Sequence, residues 1–390
     1  ARADLAWLDE KVDDFYYLAS MVHQTILELD GNDPVQHDLR RALDGACHCI
    51  DWSEPGSEEF YASVHQADDE LNKSIDAMEK HSPVNVHCVG HTHIDTAWLW
   101  RLKHTKEKCS RSFSTVFRLM EQYPEYLFLQ TQPQLYEYMK EEFPDIFENI
   151  KKKVKEGRWE ADGGMWVEAD CNLTSGESLT RQILIGSKFF KDEFGKDVEY
   201  LWLPDVFGYS WALPQILKKA GIDTFMTTKI SWNQYNRMPH DTFMWKGIDG
   251  SEVFVFMPTA CDFDKTFGMN VSFSDTRNTT TYTGIINPNM ALGTFKRFQN
   301  RDLTENTIML FGFGDGGGGP TKEMLENAER LRYGIPGIPR IEQEFEREFF
   351  DRTYEKVAGL PDMPKWNGEL YFEYHRGTLT SIAKNKRYNR

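Results

Sequence analysis

The chain has 390 residues, a formal net charge of −16, and 40% hydrophobic and 14% aromatic residues. This content is enough for a substantial core, and the length suits two to three domains or one large barrel with additions. The negative charge argues against nucleic acid or an anionic membrane surface as a partner. No apolar run reaches the roughly 20 residues that a membrane span needs.

Residues 1–80 show helical periodicity and few strand signals. The segment LAWLDEKVDDFYYLASMVHQTILEL repeats its apolar residues at spacings of three and four. Asp33-Pro34 opens a second helix, with proline at an early helical position, and Ser57 to Lys80 is predicted to form a third. Because these helices have no sheet of their own, we expect a helical lead-in over 1–80.

From Val84 onward the pattern becomes strand, loop, helix. The strand-like segments, in chain order, are VNVHCV, YLFLQ, RWEADGG, EYLWLP, DTFMTT, TIMLFGFG and GELYFEY. Alternating strands and helices predict an α/β fold, a parallel sheet with crossover helices, over 81–380. FMWKGIDGSEVFVFMP is predicted to be an inserted hairpin that turns at Asp249-Gly250. Residues 262–300 are polar and predict a long irregular loop over the site.

The most informative segment is VNVHCVGHTHIDTAWLW, in which an apolar strand pattern ends at Gly90. His91, His93 and Asp95 follow at once. Residues two apart on extended chain point the same way, so His93 and Asp95 can face one point beyond a strand end. That is where an α/β barrel carries its chemistry. An imidazole and a carboxylate form half of a site for a divalent ion such as Zn²⁺.

Three further polar residues lie at predicted strand ends. Asp205 follows the strand YLWL, where a carboxylate can act as a nucleophile, a base or a ligand. His375 ends the last predicted strand, and Asp315 precedes four glycines that let backbone approach a ligand. That loop lacks the GK[ST] ending of a phosphate-binding loop. With His93 and Asp95, Asp205 and His375 make a set of two His and two Asp that suits Zn²⁺.

Five ordered motifs resemble those of glycoside hydrolase family 38, the α-mannosidases, and most closely its cytosolic and bacterial branch. The motifs are HTHIDTAWLW, GGMWVEADCNLTSGESLTRQ, WLPDVFGYSWALPQIL, FGFGDGGGGPT and ELYFEYHRGTLTS. The resemblance runs from about Pro83 to Arg390. It implies a seven-stranded β/α barrel with bound Zn²⁺, and a retaining exo-mannosidase that acts on mannose-containing oligosaccharides. Co²⁺ or another divalent ion is the alternative metal.

The resemblance assigns a role to each motif residue. The implied metal ligands are His93, Asp95, Asp205 and His375. Asp205 is also the implied nucleophile, and Trp98 the aromatic platform under the mannose. Retaining hydrolysis needs a second carboxyl group as acid and base, for which we choose Asp315. In the lysosomal and Golgi branches the acid lies one position later, where this chain has glycine, so Asp262 and Asp264 stay as alternatives.

Two loops supply the predicted substrate-binding residues. Lys229 and Trp232 follow a strand end in TTKISWN, and Lys229 matches a basic position that other branches fill with arginine. Trp166, Glu168 and Asp170 follow a strand in GGMWVEAD, where a charged pair can hydrogen-bond sugar hydroxyls. Loop packing explains Lys229 and Trp232 equally well at this stage.

The resemblance and the cysteines also give expectations for the length of the whole protein, its cellular compartment and its oligomeric state. Family members continue past the barrel with a helical bundle and β-sandwich domains, so we expect a fragment in which 381–390 begin the next domain. Six scattered cysteines favour reduced thiols in a cytoplasmic protein. Members of the family often form dimers or tetramers, which leaves a homo-oligomer open.

Other functions remain as alternatives. An inactive barrel fragment that binds sugar without cleaving it would keep the same motifs. A zinc amidohydrolase also begins with HxH, but it needs two further histidines on separate strands. After His104 this chain has only His240 and His375. A polysaccharide deacetylase is closer in architecture, but we assign no paired HxxxH ligands; the one His-x-x-x-His spacing, His87 and His91, lies along the first predicted strand and just beyond it.

Overall fold

A computed structural model of the protein describes residues 5–80, 84–233, 235–260 and 280–380, together with Ile382 and Lys384. Its helices are α1 (Glu10–Glu28), α2 (Pro34–His48), α3 (Glu58–Asp76), α4 (Leu102–Gln122), α5 (Pro133–Glu142), α6 (Pro144–Lys155), α7 (Gly176–Phe194), α8 (Leu213–Ala220), α9 (Pro288–Arg297), α10 (Lys322–Tyr333) and α11 (Glu346–Val357). Its strands are β1 (Asn85–His91), β2 (Phe128–Gln130), β3 (Trp159–Ala161), β4 (Tyr200–Trp202), β5 (Thr224–Met226), β6 (Thr242–Lys246), β7 (Glu252–Phe256), β8 (Thr307–Phe311), β9 (Arg340–Gln343) and β10 (Lys365–Asn367). Two short 3₁₀ helices span Lys229–Trp232 and Arg376–Leu379.

The chain divides into two compact units. The first consists of 1–86, 286–292 and 322–342, and the second of 87–285, 293–321 and 343–390. The three helices that periodicity predicts near the N-terminus are present in the first unit. Their N-caps are Asp9, Asp33 and Ser57, whose side chains each accept a hydrogen bond from a backbone N–H of the first turn.

Strand pairing confirms the predicted parallel α/β sheet. One sheet has the order β3-β2-β1-β8 and also contains β9; the other has the order β10-β6-β7-β5-β4. β1 pairs with β2, β2 with β3, β4 with β5, and β5 with β7, all parallel. β6 and β7 form the predicted antiparallel hairpin. Asp249 in its turn accepts hydrogen bonds from the backbone and side chain of Ser251.

The arrangement is two five-stranded sheets, which differs from the single seven-stranded barrel that the resemblance implies. Between β3 and β4 the contact is one parallel bridge, Gly163 to Leu201. Gly163 has a φ of 117°, a conformation that interrupts the regular ladder. Another single bridge joins Gly284 to Phe311 in β8.

Two further sequence predictions are corrected. GELYFEY, predicted as a strand, has only an isolated bridge from Leu370 to Tyr209, and the neighbouring strand β10 ends at Asn367. Residues 262–300, predicted as irregular, include helix α9 (Pro288–Arg297). The side chain of Asn287 accepts a hydrogen bond from the Met290 N–H and so starts this helix. Residues 261–279 lie outside the described part.

The second unit carries a core on which the site rests. Val89, Leu129, Trp202, Met226 and Leu310, one from each of five strands, are essentially fully buried in one cluster. Strands buried in this way hold the loops at their carboxyl ends in fixed positions.

Two observations concern the cysteines and the possibility of a membrane span. Each of the five cysteines in the described residues is a free thiol. Among the helices that the structure describes, none combines the length and the apolar character required to cross a bilayer.

Candidate functional site

The site begins where β1 ends. His93 is 3% exposed, and its Nε2 lies 3.3 Å from Asp95 Oδ1. The Asp95 N–H donates to the Asp315 carbonyl at 3.0 Å, and Ile94 bridges to Gly316, which joins this strand end to the glycine loop after β8. His93, Asp95 and Asp315 each offer one ligand atom, and these atoms lie within 4.8 Å of one another.

Asp205, at the end of β4, lies beside this group. Its Oδ2 is 3.6 Å from His93 Nε2, and its Oδ1 is 3.1 Å from the ammonium of Lys229. Lys229 is 6% exposed and lies over the Trp232 ring, 3.8 Å from the ring centroid. The Trp232 indole donates to the Thr280 carbonyl at 2.7 Å, so the ring is fixed where it faces the ammonium.

Glu168 is the other close neighbour of His93. Its Oε1 lies 3.3 Å from His93 Nδ1, and the Thr131 hydroxyl donates to it at 3.4 Å. The loop that carries Glu168 rests on α7, where a Cβ added to Gly186 would meet the Gly164 carbonyl oxygen at 2.2 Å. This close packing holds the start of the loop, and the Glu168 N–H itself donates to Gln132 Oε1 at 3.2 Å.

The acidic groups of the site surround His93. Burial opposes its charged form, but the nearby carboxylates of Glu168, Asp95 and Asp205 hold its pKa well above the usual value. Burial also raises the pKa of Glu168, against the attraction of His93. His91 differs, because burial keeps its pKa well below the usual value and its ring packs against Trp202.

Sequence reasoning missed Tyr282. Its hydroxyl donates to Asp315 Oδ1 at 2.8 Å, and its ring meets that of His93 at 5.0 Å between centroids. Burial, together with the carboxylates of Asp205 and Asp315, raises the pKa of Tyr282, so the phenol keeps its proton. The local run TTTYTG contains no pattern that distinguishes this tyrosine from the others.

Two predicted site residues lie at the surface. His375 is exposed, has a φ of 51°, and places its ring 4.5 Å from that of Phe207. Burial and Lys229 lower the pKa of His375 while Asp205 opposes them, but it is not in the group formed by His93, Asp95 and Asp315. Trp98 is 57% exposed and meets Trp100 edge-on.

Trp166 and Asp170 have contacts of a structural kind. The Trp166 indole donates to Gln134 Oε1, and its ring packs edge-on against Phe189. Asp170 accepts hydrogen bonds from the N–H groups of two following residues and from the Thr174 hydroxyl. These contacts shape the loop after β3. Asp262 and Asp264, the alternative acids, lie outside the described residues.

The donor set fits a divalent metal ion. One imidazole nitrogen and the carboxylates of Asp95, Asp205 and Asp315 converge at a buried strand end. Imidazole and carboxylate suit Zn²⁺ and related ions, and such ligands bind when deprotonated. Bound metal would therefore replace the proton that the carboxylates favour on His93.

Comparison with known proteins gives the class, the glycoside hydrolases. Residues 83–369 match the family model "Glycosyl hydrolases family 38 N-terminal domain". The chain therefore belongs to family 38, as the five motifs predict.

Several curated relatives match the chain. Alpha-mannosidase G of Dictyostelium discoideum is 43% identical, covering 79% of this chain and 26% of the relative. Alpha-mannosidase of Saccharomyces cerevisiae is 36% identical, covering 100% and 35%. Human Alpha-mannosidase 2C1 is 41% identical, covering 78% and 27%. The chain thus spans about a quarter to a third of the length of these relatives.

A solved structure supports the fold. The crystal structure of an alpha-mannosidase from Enterococcus faecalis V583 matches with a TM-score of 0.57 at 19% identity, over 74% of this chain and 31% of that one. At this identity the likeness concerns the fold alone.

Proposed function

We propose that this chain carries the catalytic site of a retaining exo-acting α-mannosidase that removes terminal α-linked mannose from oligosaccharides. The observation that carries the proposal is the convergence of Asp205, His93 and Asp95 at the ends of parallel strands, in a family 38 domain. The relatives named alpha-mannosidases support the substrate class.

Asp205 is the proposed nucleophile. Lys229, whose ammonium lies 3.1 Å from Oδ1, fixes the orientation of the carboxylate. Because Lys229 is buried and its ammonium also faces the Trp232 ring, it holds the carboxylate in one position. An ionised, oriented carboxylate is what attack at the sugar's anomeric carbon requires for a covalent intermediate.

Asp315 is the proposed acid and base. Tyr282 donates to Oδ1, which leaves Oδ2 to carry the proton that the departing glycosidic oxygen needs. After the first alcohol leaves, the same carboxylate would deprotonate the incoming water. Its place in the group with His93 and Asp95 gives it a competing role as a metal ligand.

His93, Asp95, Asp205 and His375 are the proposed metal ligands. The ion, Zn²⁺ in our proposal and otherwise Co²⁺ or another divalent metal, would supply Lewis-acid binding of the mannose 2-OH and 3-OH. Glu168 would hold the His93 imidazole by its second nitrogen.

Six residues are proposed to contact substrate: Trp98, Trp166, Glu168, Asp170, Lys229 and Trp232. The exposed ring of Trp98 is available for stacking under mannose. Glu168 and Lys229 lie closest to the carboxylate cluster. Trp166 and Asp170 are the weaker members, because their polar groups already have partners in the loop.

We further propose that the second unit closes into a seven-stranded barrel. The bridges from Gly163 to Leu201 and from Gly284 to Phe311 support closure, as does the hydrogen bond from the Thr281 N–H to the Ala260 carbonyl. The proposed domains are a helical lead-in over 1–80, the barrel over 81–380, and 381–390 opening a following domain. Cytoplasmic residence is proposed from the free thiols, and a homo-oligomer from the family resemblance.

The test is hydrolysis of an aryl α-mannoside by the longest native form of the protein, before and after metal chelation. We expect chelation to abolish release of the aryl alcohol and Zn²⁺ to restore it. An unchanged rate after verified metal removal would contradict the metal-dependent site. Mannose binding without turnover would favour the sugar-binding alternative.

A further inference from the structure

A cleft lies between helix α4 and the glycine loop that follows β8. Its volume is about 460 Å³, within the range of roughly 300–1,000 Å³ that is common for small-molecule sites. Its wall on α4 consists of Lys108, Arg111, Ser112 and Thr115. Its other wall is Phe313 and glycines on both sides of Asp315. Among the lining residues that the structure describes, two are basic and none is acidic, although the chain has 61 acidic and 45 basic residues.

Contacts between α4 and the loop fix the shape of the cleft. Lys108 and Arg111 are three residues apart on α4 and therefore share a face of the helix. Arg111 Nη2 donates to the Gly316 carbonyl at 3.1 Å, and the Ser112 hydroxyl donates to the Gly317 carbonyl. Lys108 is also close to the loop, because a Cβ added to Gly316 would lie 3.4 Å from its ammonium. Both cations thus face the loop from fixed positions.

The charge of Lys108 is not neutralised by a carboxylate. Its ammonium lies 4.4 Å from the centroid of the Trp100 ring, and in the described part of the chain no carboxylate forms an ion pair with it. Arg111 approaches Glu107 at 3.4 Å, but both side chains of that pair are more than half exposed, so the pair is weak. A guanidinium has five N–H donors, which leaves Arg111 able to bind a ligand.

Two cations without a carboxylate suit an anion, and the pairing of arginine with lysine suits the oxygens of a phosphate group. The loop itself offers few donors. The Gly316 N–H donates to the Gly314 carbonyl, and the Gly318 N–H donates to the Phe313 carbonyl. The cleft therefore differs from a phosphate-binding loop of the GK[ST] type: α4 supplies the donors, and the glycines leave room for the anion.

We propose that this cleft binds a phosphate group, either as free inorganic phosphate or as part of a phosphorylated sugar. Lys108 supplies the charge that has no carboxylate partner, and Arg111 supplies the second cation. Because Gly314 and Gly316 adjoin Asp315 in the chain, bound phosphate would contact the loop that carries the proposed acid and base. The phosphate site does not depend on the proposed function.

The experiment follows the phosphorus NMR line widths of inorganic phosphate and of methyl 6-phospho-α-mannoside as the metal-loaded protein is added at low ionic strength. Any binding to the metal ion would be the same in every variant. We expect wild-type protein to bind inorganic phosphate with a Kd of about 1 mM, and Lys108→Gln to bind it about tenfold more weakly. Lys108→Arg keeps the charge and should bind within about threefold of the wild type. Lys103→Gln, an exposed change on the same helix, is the matched control.

The two ligands identify the source of the phosphate. A phosphorylated mannoside that binds at least about tenfold more tightly than inorganic phosphate, in a manner that depends on Lys108, would support the site and identify a phosphorylated sugar. Equal affinities that depend on Lys108 would support the site and identify free phosphate. Wild-type protein that broadens neither signal would overturn the proposal, as would equal affinities in Lys108→Gln and Lys103→Gln.

Hydrolysis of the aryl α-mannoside is assayed separately, so the loss of the phosphate site would leave the proposed function standing. Thermal unfolding of each variant checks that it is folded. Lys108→Met, which keeps an apolar stem beside Trp100, replaces Lys108→Gln in the comparison if that variant does not fold.

Discussion

Two histidines of the second unit, His87 within β1 and His93 just beyond its end, are both buried beside carboxylates but differ in charge balance. His87 Nδ1 lies 2.7 Å from Glu344 Oε2, and Arg352 donates to the same oxygen at 2.7 Å. There the single carboxylate of Glu344 pairs with two basic groups, His87 and Arg352.

Around His93 the balance is reversed. Glu168, Asp95 and Asp205 surround one imidazole, and Lys229 is paired with Asp205. The first arrangement is complete as a structural clamp, whereas the second has an excess of acidic groups. The same residue types thus stabilise structure at one place and, in our proposal, form a cation site at the other.

The largest expected effect is on catalysis. We expect Asp205→Asn to lower kcat on an aryl α-mannoside by about 10³-fold or more, because the amide is a poor nucleophile. Circular dichroism should show a folded protein, and activity assays should be made well below its unfolding temperature, because Lys229 loses its partner. Activity within tenfold of the wild type would remove Asp205 from the nucleophile role.

Metal affinity sharpens the comparison at His93. Glu168→Gln removes a charge beside Nδ1, and we expect metal to bind about 10- to 100-fold more weakly. Competition with a chromophoric chelator measures this. The control is Glu177→Gln, the same substitution at an exposed position on α7. Equal affinities in the two variants would show that Glu168 does not support the ligand.

The clamp at His87 should affect stability. Burial alone would raise the pKa of Glu344, but its hydrogen bonds and ion pairs with Arg352 and His87 lower the pKa to about 2. Relative to an unfolded pKa of about 4.3, this is worth on the order of 3 kcal/mol. A carboxyl group whose pKa is lowered in the folded state contributes to folding stability above its unfolded pKa. That contribution is lost as the pH falls from about 4 toward 2.

We therefore expect Glu344→Gln to lower the free energy of unfolding by about 2–3 kcal/mol at pH 7, and to have much less effect near pH 2. Urea unfolding at several pH values measures the difference. Glu348→Gln, an exposed neighbour, should stay within about 0.5 kcal/mol of the wild type. A similar loss in both variants would contradict the clamp.

The smallest effect concerns the carboxyl group of Glu160. Burial raises the pKa of Glu160 to about 7, although the Glu346 N–H donates to it. A carboxyl group whose pKa is raised in the folded state contributes fully to folding stability below its unfolded pKa of about 4.3. That contribution is lost as the pH rises through the folded pKa of about 7.

Because Glu160 keeps some solvent access, we expect Glu160→Gln to remove only about 1 kcal/mol of the decline in stability between pH 5 and pH 8. Glu148→Gln, an exposed change on α6, is the control. An identical pH dependence in wild type and Glu160→Gln would show that the group does not titrate in this range.

The parts of the site that local chain geometry determines were predictable. His93 and Asp95 are two residues apart after a strand pattern, and Asp205 directly follows another, so both could be located from sequence. The hydrogen bond from the Asp95 N–H to the Asp315 carbonyl joins segments 220 residues apart, and the sequence predicted only that both segments lie at strand ends.

The rest depends on contacts without a local signature. Tyr282 reaches Asp315 from a threonine-rich segment, and the pairing of Glu168 with His93 depends on how α7 packs. At GELYFEY the alternating pattern was right for a strand, but Leu370 found only a single bridge. Strand formation depends on the neighbour as well as on the segment.

The packing of Gly186 against Gly164 has a consequence for inherited variation. Even alanine at position 186 would bring a methyl group within 2.2 Å of a carbonyl oxygen, and the displaced backbone is the one that leads to Glu168. A carrier of such an allele would have a distorted site because of a change in a helix that contains none of the proposed ligands or catalytic residues. A ranking of variants of this gene by their distance from the reacting bond would therefore underestimate the harm of a substitution at Gly186.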